Sequence, residues 1–269
     1  MRCRCHAVEF IAGDYADVLI YPEYREQPQR GRRKKWRPSS EDQQLRNDIY
    51  AELHFKGLVH ANFTERDCKV EFTYSNEHNP ETEKQARRDF TNYVRRDKAY
   101  RVRHGLPPLD YLYTIERGAQ KGRYHIHAIM RGGLAEEIQG IWGKGIVRVT
   151  KLLFNQQTGL ADLSAYMCKS GKYKRRWTSS KGLKQPVRVD KPNFTTQKKA
   201  REIAASPDDR QAIETLFPGW RVAGDGCKVY HSSYDNRPIL RISLYRDIPK
   251  RRKKAPAQGK GKAPYAMRN

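Results

Sequence analysis

The sequence predicts an α+β fold, with a central antiparallel sheet and helices packed mainly on one face of it. Candidate elements follow one another along residues 70–169 in the order strand, helix, hairpin, helix, strand, helix. The hairpin has the clearest signal, because a glycine-containing loop at 117–123 separates two apolar runs at 109–116 and 124–130. A single sheet covered by these helices is the economical arrangement for this order of elements.

The 269 residues suffice for one substantial core with extensions, or for two small domains. We predict a basic N-terminal extension at 1–45, a core domain at 46–194, C-terminal helices and a hairpin packed on it at 195–249, and a disordered basic tail at 250–269. The tail is rich in Lys, Arg, Gly and Pro. It has too little apolar surface to order itself.

Local signals place the individual elements. The pair Asn79-Pro80 marks a helix start, and Gly105 with the following prolines ends that helix. Strands are predicted at 7–11, 18–21, 70–74, 109–116, 124–130, 146–152, 227–232 and 239–245. Helices are predicted at 40–57, 79–105, 134–142, 160–169, 195–205 and 207–217.

Composition narrows the class of function. The formal net charge is +24 and the sequence pI is about 9.9, which predicts nucleic acid as the partner. A structural RNA-binding protein would show the same excess of positive charge. Five cysteines without a disulfide spacing suit a reducing cytoplasm. The run Cys3-Arg4-Cys5-His6 leaves a zinc site open as an alternative.

Three further features are missing from the sequence. There is no apolar run long enough to cross a membrane and no apolar core of a signal peptide, so we expect no membrane association and a cytoplasmic location. A phosphate-binding loop of the form G-x-x-x-x-G-K-[ST] is also missing, so any unwinding of DNA would come from another protein.

The stretch 124–130 reads as a strand that carries His125 and His127 two residues apart. Side chains alternate along a strand, so both imidazoles project from the same face. Glu116 ends the preceding strand at the mouth of the hairpin, beside His125. Two imidazoles and a carboxylate are a ligand set for a divalent cation that keeps positions open for substrate. The alternative is a buried strand whose histidines are satisfied by hydrogen bonds.

The helix predicted at 160–169 carries Tyr166 and, one turn further on, Lys169. A phenol with a nearby cation is suited to act as a nucleophile beside a phosphate. The residues after this helix are strongly basic with one interleaved tryptophan, which is typical of contact with a nucleic-acid strand. We predict DNA contacts for Lys172, Lys174, Arg175, Arg176 and Trp177. A basic run at 30–37 is either a second such contact or a solvated arm.

The order of these motifs resembles the HUH endonuclease superfamily, in particular the rolling-circle replication initiators of small phages, plasmids and related elements. His125-Ile126-His127 matches the His-hydrophobe-His motif, and Tyr166 with Lys169 matches the Tyr-x-x-Lys form of the nucleophile motif. An apolar strand with Thr73 resembles the first motif. The resemblance covers residues 69–177. Two features depart from it: Glu71 competes with Glu116 as third ligand, and there is no second tyrosine three or four residues from Tyr166.

The resemblance implies a specific mechanism. Mg or Mn, held by His125, His127 and Glu116, would bind the scissile phosphate, and Tyr166 would attack it to give a 5′-phosphotyrosine and a free 3′-hydroxyl. Lys169 would assist the phenol or steady the phosphate, and Thr73 would contact DNA.

The implied partners are single-stranded DNA at a replication origin, presented as a hairpin, a host helicase and polymerase, and a second copy of the chain, in a bacterial cell. The alternatives are a relaxase or transposase of the same superfamily, or a non-catalytic nucleic-acid-binding protein.

Overall fold

The structure is a computed structural model that describes residues 4–23, 40–118, 122–155, 157–160, 163, 167 and 176–246. Its strands are β1 (Arg4–Ala12), β2 (Tyr15–Pro22), β3 (Cys68–Phe72), β4 (Tyr111–Arg117), β5 (Tyr124–Met130), β6 (Val147–Lys151), β7 (Thr178–Ser179), β8 (Val187–Thr196), β9 (Trp220–His231) and β10 (Pro238–Arg246). Its helices are α1 (Glu41–Asn62), α2 (Glu83–Arg103), α3 (Ala135–Trp142), α4 (Gln197–Ala205) and α5 (Arg210–Glu214).

The predicted α+β class is confirmed, and the strands divide between two antiparallel sheets where one central sheet was expected. The first sheet has the order β8-β1-β2-β10-β9, and the second has the order β6-β3-β5-β4-β7. Strands β1 and β2, within the predicted N-terminal extension at 1–45, lie in the middle of the first sheet. They pair there with β8 and β10, which come from the far end of the chain.

Each face of the first sheet is covered. One face packs Val18, Ile20 and Ile242 against α4 and α5, and the other packs Val8 and Leu19 against α1. The strand β8 was missed in the sequence because most of its residues are exposed and it contains Pro192. It is an edge strand, where exposed side chains and proline are tolerated.

Helix α1 lies between the two sheets, and this explains its composition. Ile49 and Leu53 pack on the first sheet, whereas Phe55, Leu58 and Val59 join a cluster with residues of the second sheet. A helix that is buried on two sides lacks the single apolar stripe of a surface helix. Ser40 accepts a hydrogen bond from the backbone N–H of Gln43 and so caps its first turn.

The second sheet is also covered on both faces. The side chains of Val70, Phe72 and Ile126 point to α2 and α3, where the cluster includes Phe90 and Trp142. The capping box of Thr82 and Gln85 begins α2, later in the chain than the start predicted at Asn79-Pro80. Gly143 in the left-handed conformation ends α3, as the sequence predicted. The opposite face of this sheet carries the histidines of β5.

Candidate functional site

Strand β5 is the central strand of the second sheet, between β3 and β4. In this register His127 lies opposite Glu71 of β3, and His125 lies opposite Glu116 of β4. Residues that face each other across an antiparallel pair project from the same side of the sheet. The two histidines and the two acidic residues therefore share one face, which we call the histidine face.

The side-chain contacts on the histidine face run diagonally. His127 Nε2 lies 3.2 Å from Glu116 Oε2, and His125 Nδ1 lies 3.4 Å from Glu71 Oε1. The sequence placed Glu116 beside His125, and this agrees with the backbone register. The carboxylate of Glu116, however, turns to His127, and the competing residue Glu71 turns to His125. Both acidic candidates thus belong to the site.

The two histidines differ in burial. His127 has only 4% of its surface exposed, whereas 31% of the side chain of His125 is exposed. Burial lowers the pKa of His127 below its ordinary value, and the negative charges of Glu71 and Glu116 act in the opposite direction. A lowered pKa keeps this imidazole neutral at physiological pH, which is the form that binds metals.

The donor set has the chemistry of a divalent-cation site, since it offers two imidazole nitrogens and carboxylate oxygens. In this structure the donor atoms of the two histidines and the two acidic residues do not converge on one point. The two rings are nearly parallel, at 12°, with their centroids 6.5 Å apart. Among the described residues, no three His, Cys, Asp or Glu side chains are close enough to hold a metal ion. Binding would therefore require the side chains to turn, which the exposure of Glu116 (46%) allows.

The histidine face continues into an apolar cluster. Leu112 of β4 and Ile129 of β5 lie on this face, two residues along their strands from Thr114 and His127. They pack with residues of α1 and with Leu163 and Met167. The chain is therefore anchored on the histidine face at Met167, the residue that follows Tyr166 in sequence. Tyr166, Lys169, Lys172, Lys174 and Arg175 themselves lie outside the described residues.

The remaining predicted DNA contacts are engaged within the protein. Thr73 Oγ1 donates to the carbonyl of Ile146 at 2.8 Å and also accepts from its N–H, so it ties the end of β3 to the start of β6. Arg176 forms an ion pair with Asp48 of α1. Trp177 packs edge-on against Phe55, with ring centroids 5.4 Å apart. These contacts anchor the segment before β7 to α1.

Of the alternative zinc site at the N-terminus, the structure describes Cys5 and His6, whereas Cys3 lies outside the described residues. Cys5 is fully buried in the core of the first sheet and accepts a hydrogen bond from Gln197. His6 points to the other side of β1, where it stacks on Tyr21 and contacts Asp190. Adjacent strand residues project in opposite directions, so Cys5 and His6 cannot bind one ion together.

Two basic residues of the histidine face were not predicted from the sequence. Lys69 precedes Glu71 by two residues on β3, and its positive charge contributes to lowering the pKa of His127. Arg148 of β6 lies opposite Glu71 in the register and is exposed. The alternation of side chains along β3 could have indicated Lys69, whereas Arg148 required the pairing of β3 with β6.

A histidine pair on the central strand of an antiparallel α+β sheet is the arrangement that the resemblance to replication initiators implies. Residues 67–171 match the model of a family described as replication-associated protein ORF2. The match spans β3 to β6 and includes both histidines and both acidic residues. It confirms the resemblance and indicates a role in DNA replication. No curated protein and no solved structure matches the chain.

The match does not include the first sheet, which consists of residues before 67 and after 171. No helix in the described part of the chain is long and apolar enough to cross a membrane.

Proposed function

We propose that this protein is a rolling-circle replication initiator that nicks single-stranded origin DNA through a tyrosine nucleophile, with help from a divalent cation. One observation carries the proposal: the histidine face brings His125, His127, Glu71 and Glu116 together, within the region that matches the replication-associated family. The cofactor is proposed to be Mg or Mn, because two nitrogen donors favour Mn and cellular abundance favours Mg.

The protein residues have distinct roles in this proposal. His125 and His127, with Glu116 and Glu71 as the acidic candidates, would hold the cation. When bound, the cation neutralises the scissile phosphate and polarises its phosphorus. The sheet fixes the imidazole of His127, because this residue is buried on the central strand. Lys69 and Arg148 add positive charge on the same face, where a DNA strand would lie.

Tyr166 is the proposed nucleophile. Its neighbours Leu163 and Met167 pack with Leu112 and Ile129 of the histidine face, and this supports its assignment to the same site. The phenol oxygen forms a bond to phosphorus while the bond from phosphorus to the 3′-oxygen breaks. The products are a 5′-phosphotyrosine and a free 3′-hydroxyl, which takes up the proton that the phenol loses.

The phenol needs assistance, since its ordinary pKa is about 10. Lys169 is proposed to stabilise the phenolate or the phosphate. The covalent link keeps the energy of the phosphodiester, so the strand can be rejoined later, while the 3′-hydroxyl serves as a primer. This pair of outcomes distinguishes an initiator from a simple nuclease.

The partners follow from this chemistry as proposals. The substrate would be single-stranded origin DNA presented as a hairpin, and a host helicase and polymerase in the bacterial cytoplasm would unwind and extend it. With one tyrosine per chain, the second cleavage would need a second copy of the protein, another residue or a reversal of the first linkage. A relaxase or transposase would use the same site and differ only in the DNA that it joins.

The test uses oligonucleotides that tile both strands of the DNA element encoding the protein, incubated with Mn or Mg. We expect an adduct that resists SDS, with the modified peptide containing Tyr166. Tyr166→Phe should abolish the adduct while binding of single-stranded DNA persists. Tyr234→Phe is the matched control, because Tyr234 is 86% exposed in the turn between β9 and β10. Binding without any adduct would instead establish a non-catalytic DNA-binding protein.

A further inference from the structure

A compact loop precedes the segment that is anchored on the histidine face. Asn155 and Gly159 form two backbone hydrogen bonds, of 3.0 Å from Asn155 N to Gly159 O and 2.7 Å from Gly159 N to Asn155 O. The side chain of Asn155 also accepts from the N–H groups of Gln157 and Thr158. The loop is therefore closed by hydrogen bonds between its own residues.

The loop is bound to the first sheet and α1 through His60. His60 lies in the last turn of α1, and its Nε2 accepts a hydrogen bond of 3.0 Å from the backbone N–H of Leu160. The ring stacks on Tyr15 of β2, with centroids 4.5 Å apart and planes at 15°. Accepting this bond requires an unprotonated Nε2, so the imidazole is neutral and carries its proton on Nδ1.

The surroundings of His60 favour this neutral form. Burial lowers the pKa of His60 to about 4, and the opposite charges of Asp17 from β2 and Lys56 from α1 act against each other. Tyr15, the other titratable group packed on the ring, has its own pKa raised by burial and by Asp14. The acceptor nitrogen thus stays available throughout the neutral pH range.

Gly159 makes the close approach possible. Its φ of +59° lies in the left-handed region. A Cβ there would lie 2.6 Å from His60 Nε2 and 2.9 Å from Tyr15 Cζ. Only glycine therefore lets the loop reach these two rings without a displacement.

Three described residues at and beyond the end of the loop, Leu160, Leu163 and Met167, pack on the histidine face. Leu160, whose N–H is held by His60, is 1% exposed and packs in the same cluster as Leu163 and Met167. That cluster also contains Leu112 and Ile129 from the second sheet. His60 thus joins α1, and through Tyr15 the first sheet, to the residues that follow the loop. Both α1 and the first sheet lie outside the family match.

We propose that His60 is a positioning residue, which fixes the backbone at Leu160 and so sets where the following segment lies over the histidine face. This inference rests on the proposed function for its catalytic consequence, because that segment includes the proposed nucleophile. Nucleophilic attack requires alignment within about 1 Å, and a misplacement of that size can cost ~100-fold in rate. His60 needs no contact with DNA to act in this way.

The first experiment measures the hydrogen bond independently of any activity. Amide hydrogen exchange at Leu160 should be slow in the wild-type protein and at least tenfold faster in His60→Ala, while exchange in β5 stays unchanged. His60→Gln offers an acceptor oxygen at a similar reach and should restore much of the protection. Equal exchange at Leu160 in wild type and His60→Ala would overturn the inference.

The second experiment measures the rate of adduct formation at saturating DNA. We expect His60→Ala to be 10- to 100-fold slower with DNA affinity within about twofold of wild type, and His60→Gln to be restored to within a few-fold. Should His60→Ala not fold, Gly159→Ala disturbs the same contact from the loop and should give the same loss. Gly105→Ala is the control, because Gly105 has φ +64° with no atom near its would-be Cβ.

Tyr166→Phe is assayed in parallel to separate the two proposals. If Tyr166→Phe still forms adduct, the proposed function fails at its nucleophile. If Tyr166→Phe is inactive but His60→Ala and Gly159→Ala react at the wild-type rate, only the positioning role of His60 is overturned.

Discussion

The buried ion pair between Lys56 and Asp17 gives the sharpest prediction for stability. Lys56 Nζ lies 2.7 Å from Asp17 Oδ1, and the two side chains are only 4% and 6% exposed. Ser243 donates a further hydrogen bond of 2.6 Å to the same carboxylate oxygen. Burial alone would raise the pKa of Asp17, but Lys56 and Ser243 outweigh it and lower the pKa.

Replacing Lys56 by methionine keeps the volume and removes the charge. The substitution leaves a buried carboxylate without its cation, and breaking a buried pair in this way costs about 3–5 kcal/mol. The matched control is Arg188→Met, since the Arg188–Asp190 pair is about half exposed and should lose less than about 1 kcal/mol. The free energy of unfolding is measured by denaturant titration at pH 7.

The pH dependence provides a second readout with a definite sign. In the wild type the folded pKa of Asp17 is below 3.8, so its contribution is present above pH 3.8 and is lost as the pH falls through the folded pKa. In Lys56→Met, burial should raise the pKa of Asp17 above that value, so acid neutralises the buried charge. The destabilisation by Lys56→Met should therefore shrink as the pH falls from 7 toward 4.

A double variant completes the test. Asp17→Asn combined with Lys56→Met removes both charges and should recover most of the loss, because Asn can still accept from Ser243. A loss of less than about 1 kcal/mol for Lys56→Met, or a double variant whose loss equals the sum of the two single ones, would refute the reasoning.

Three further predictions concern the site and the loop. Glu116→Ala should weaken metal affinity more than Glu71→Ala, measured by titration with Mn, because Glu116 contacts the buried His127. Arg148→Ala should reduce the slope of log affinity for single-stranded DNA against log salt by about 0.7, since it removes one phosphate contact. As the pH falls from 6.5 to about 4, the free energy of unfolding of the wild type should decrease relative to that of His60→Gln. The decrease should be up to ~1.4 kcal/mol per pH unit, because the unfolded chain binds a proton that the folded protein does not.

Each of these has an outcome that contradicts it. If Glu71→Ala weakened metal affinity more than Glu116→Ala, the third ligand would be Glu71 of β3. If Arg148→Ala left the slope of log affinity against log salt unchanged, Arg148 of β6 would not contact DNA. Thr150→Ala, on the same face of β6, is the uncharged control. Parallel pH profiles for wild type and His60→Gln would mean that the pKa of His60 is not lowered.

Local patterns in the sequence determined much of the second sheet. The two-residue repeat placed His125 and His127 on one face, and the glycine-containing loop predicted the hairpin of β4 and β5. Gly143 marked the end of α3 correctly. These features depend on interactions between residues that are close in sequence, so a single chain segment contains the information.

Only the tertiary structure decided the features that depend on distant pairing. Strand β2 pairs with β10, more than 200 residues away, and no local pattern specifies such a partner. The register of β3 against β5 decided that Glu71 is in the site. The burial of α1 on two sides could not be predicted from its sequence, because the helix lacks a single apolar stripe. The contact of His60 with Leu160 spans 100 residues. Contacts of this kind are set by how sheets and helices pack together, because that packing alone brings distant segments within hydrogen-bonding distance.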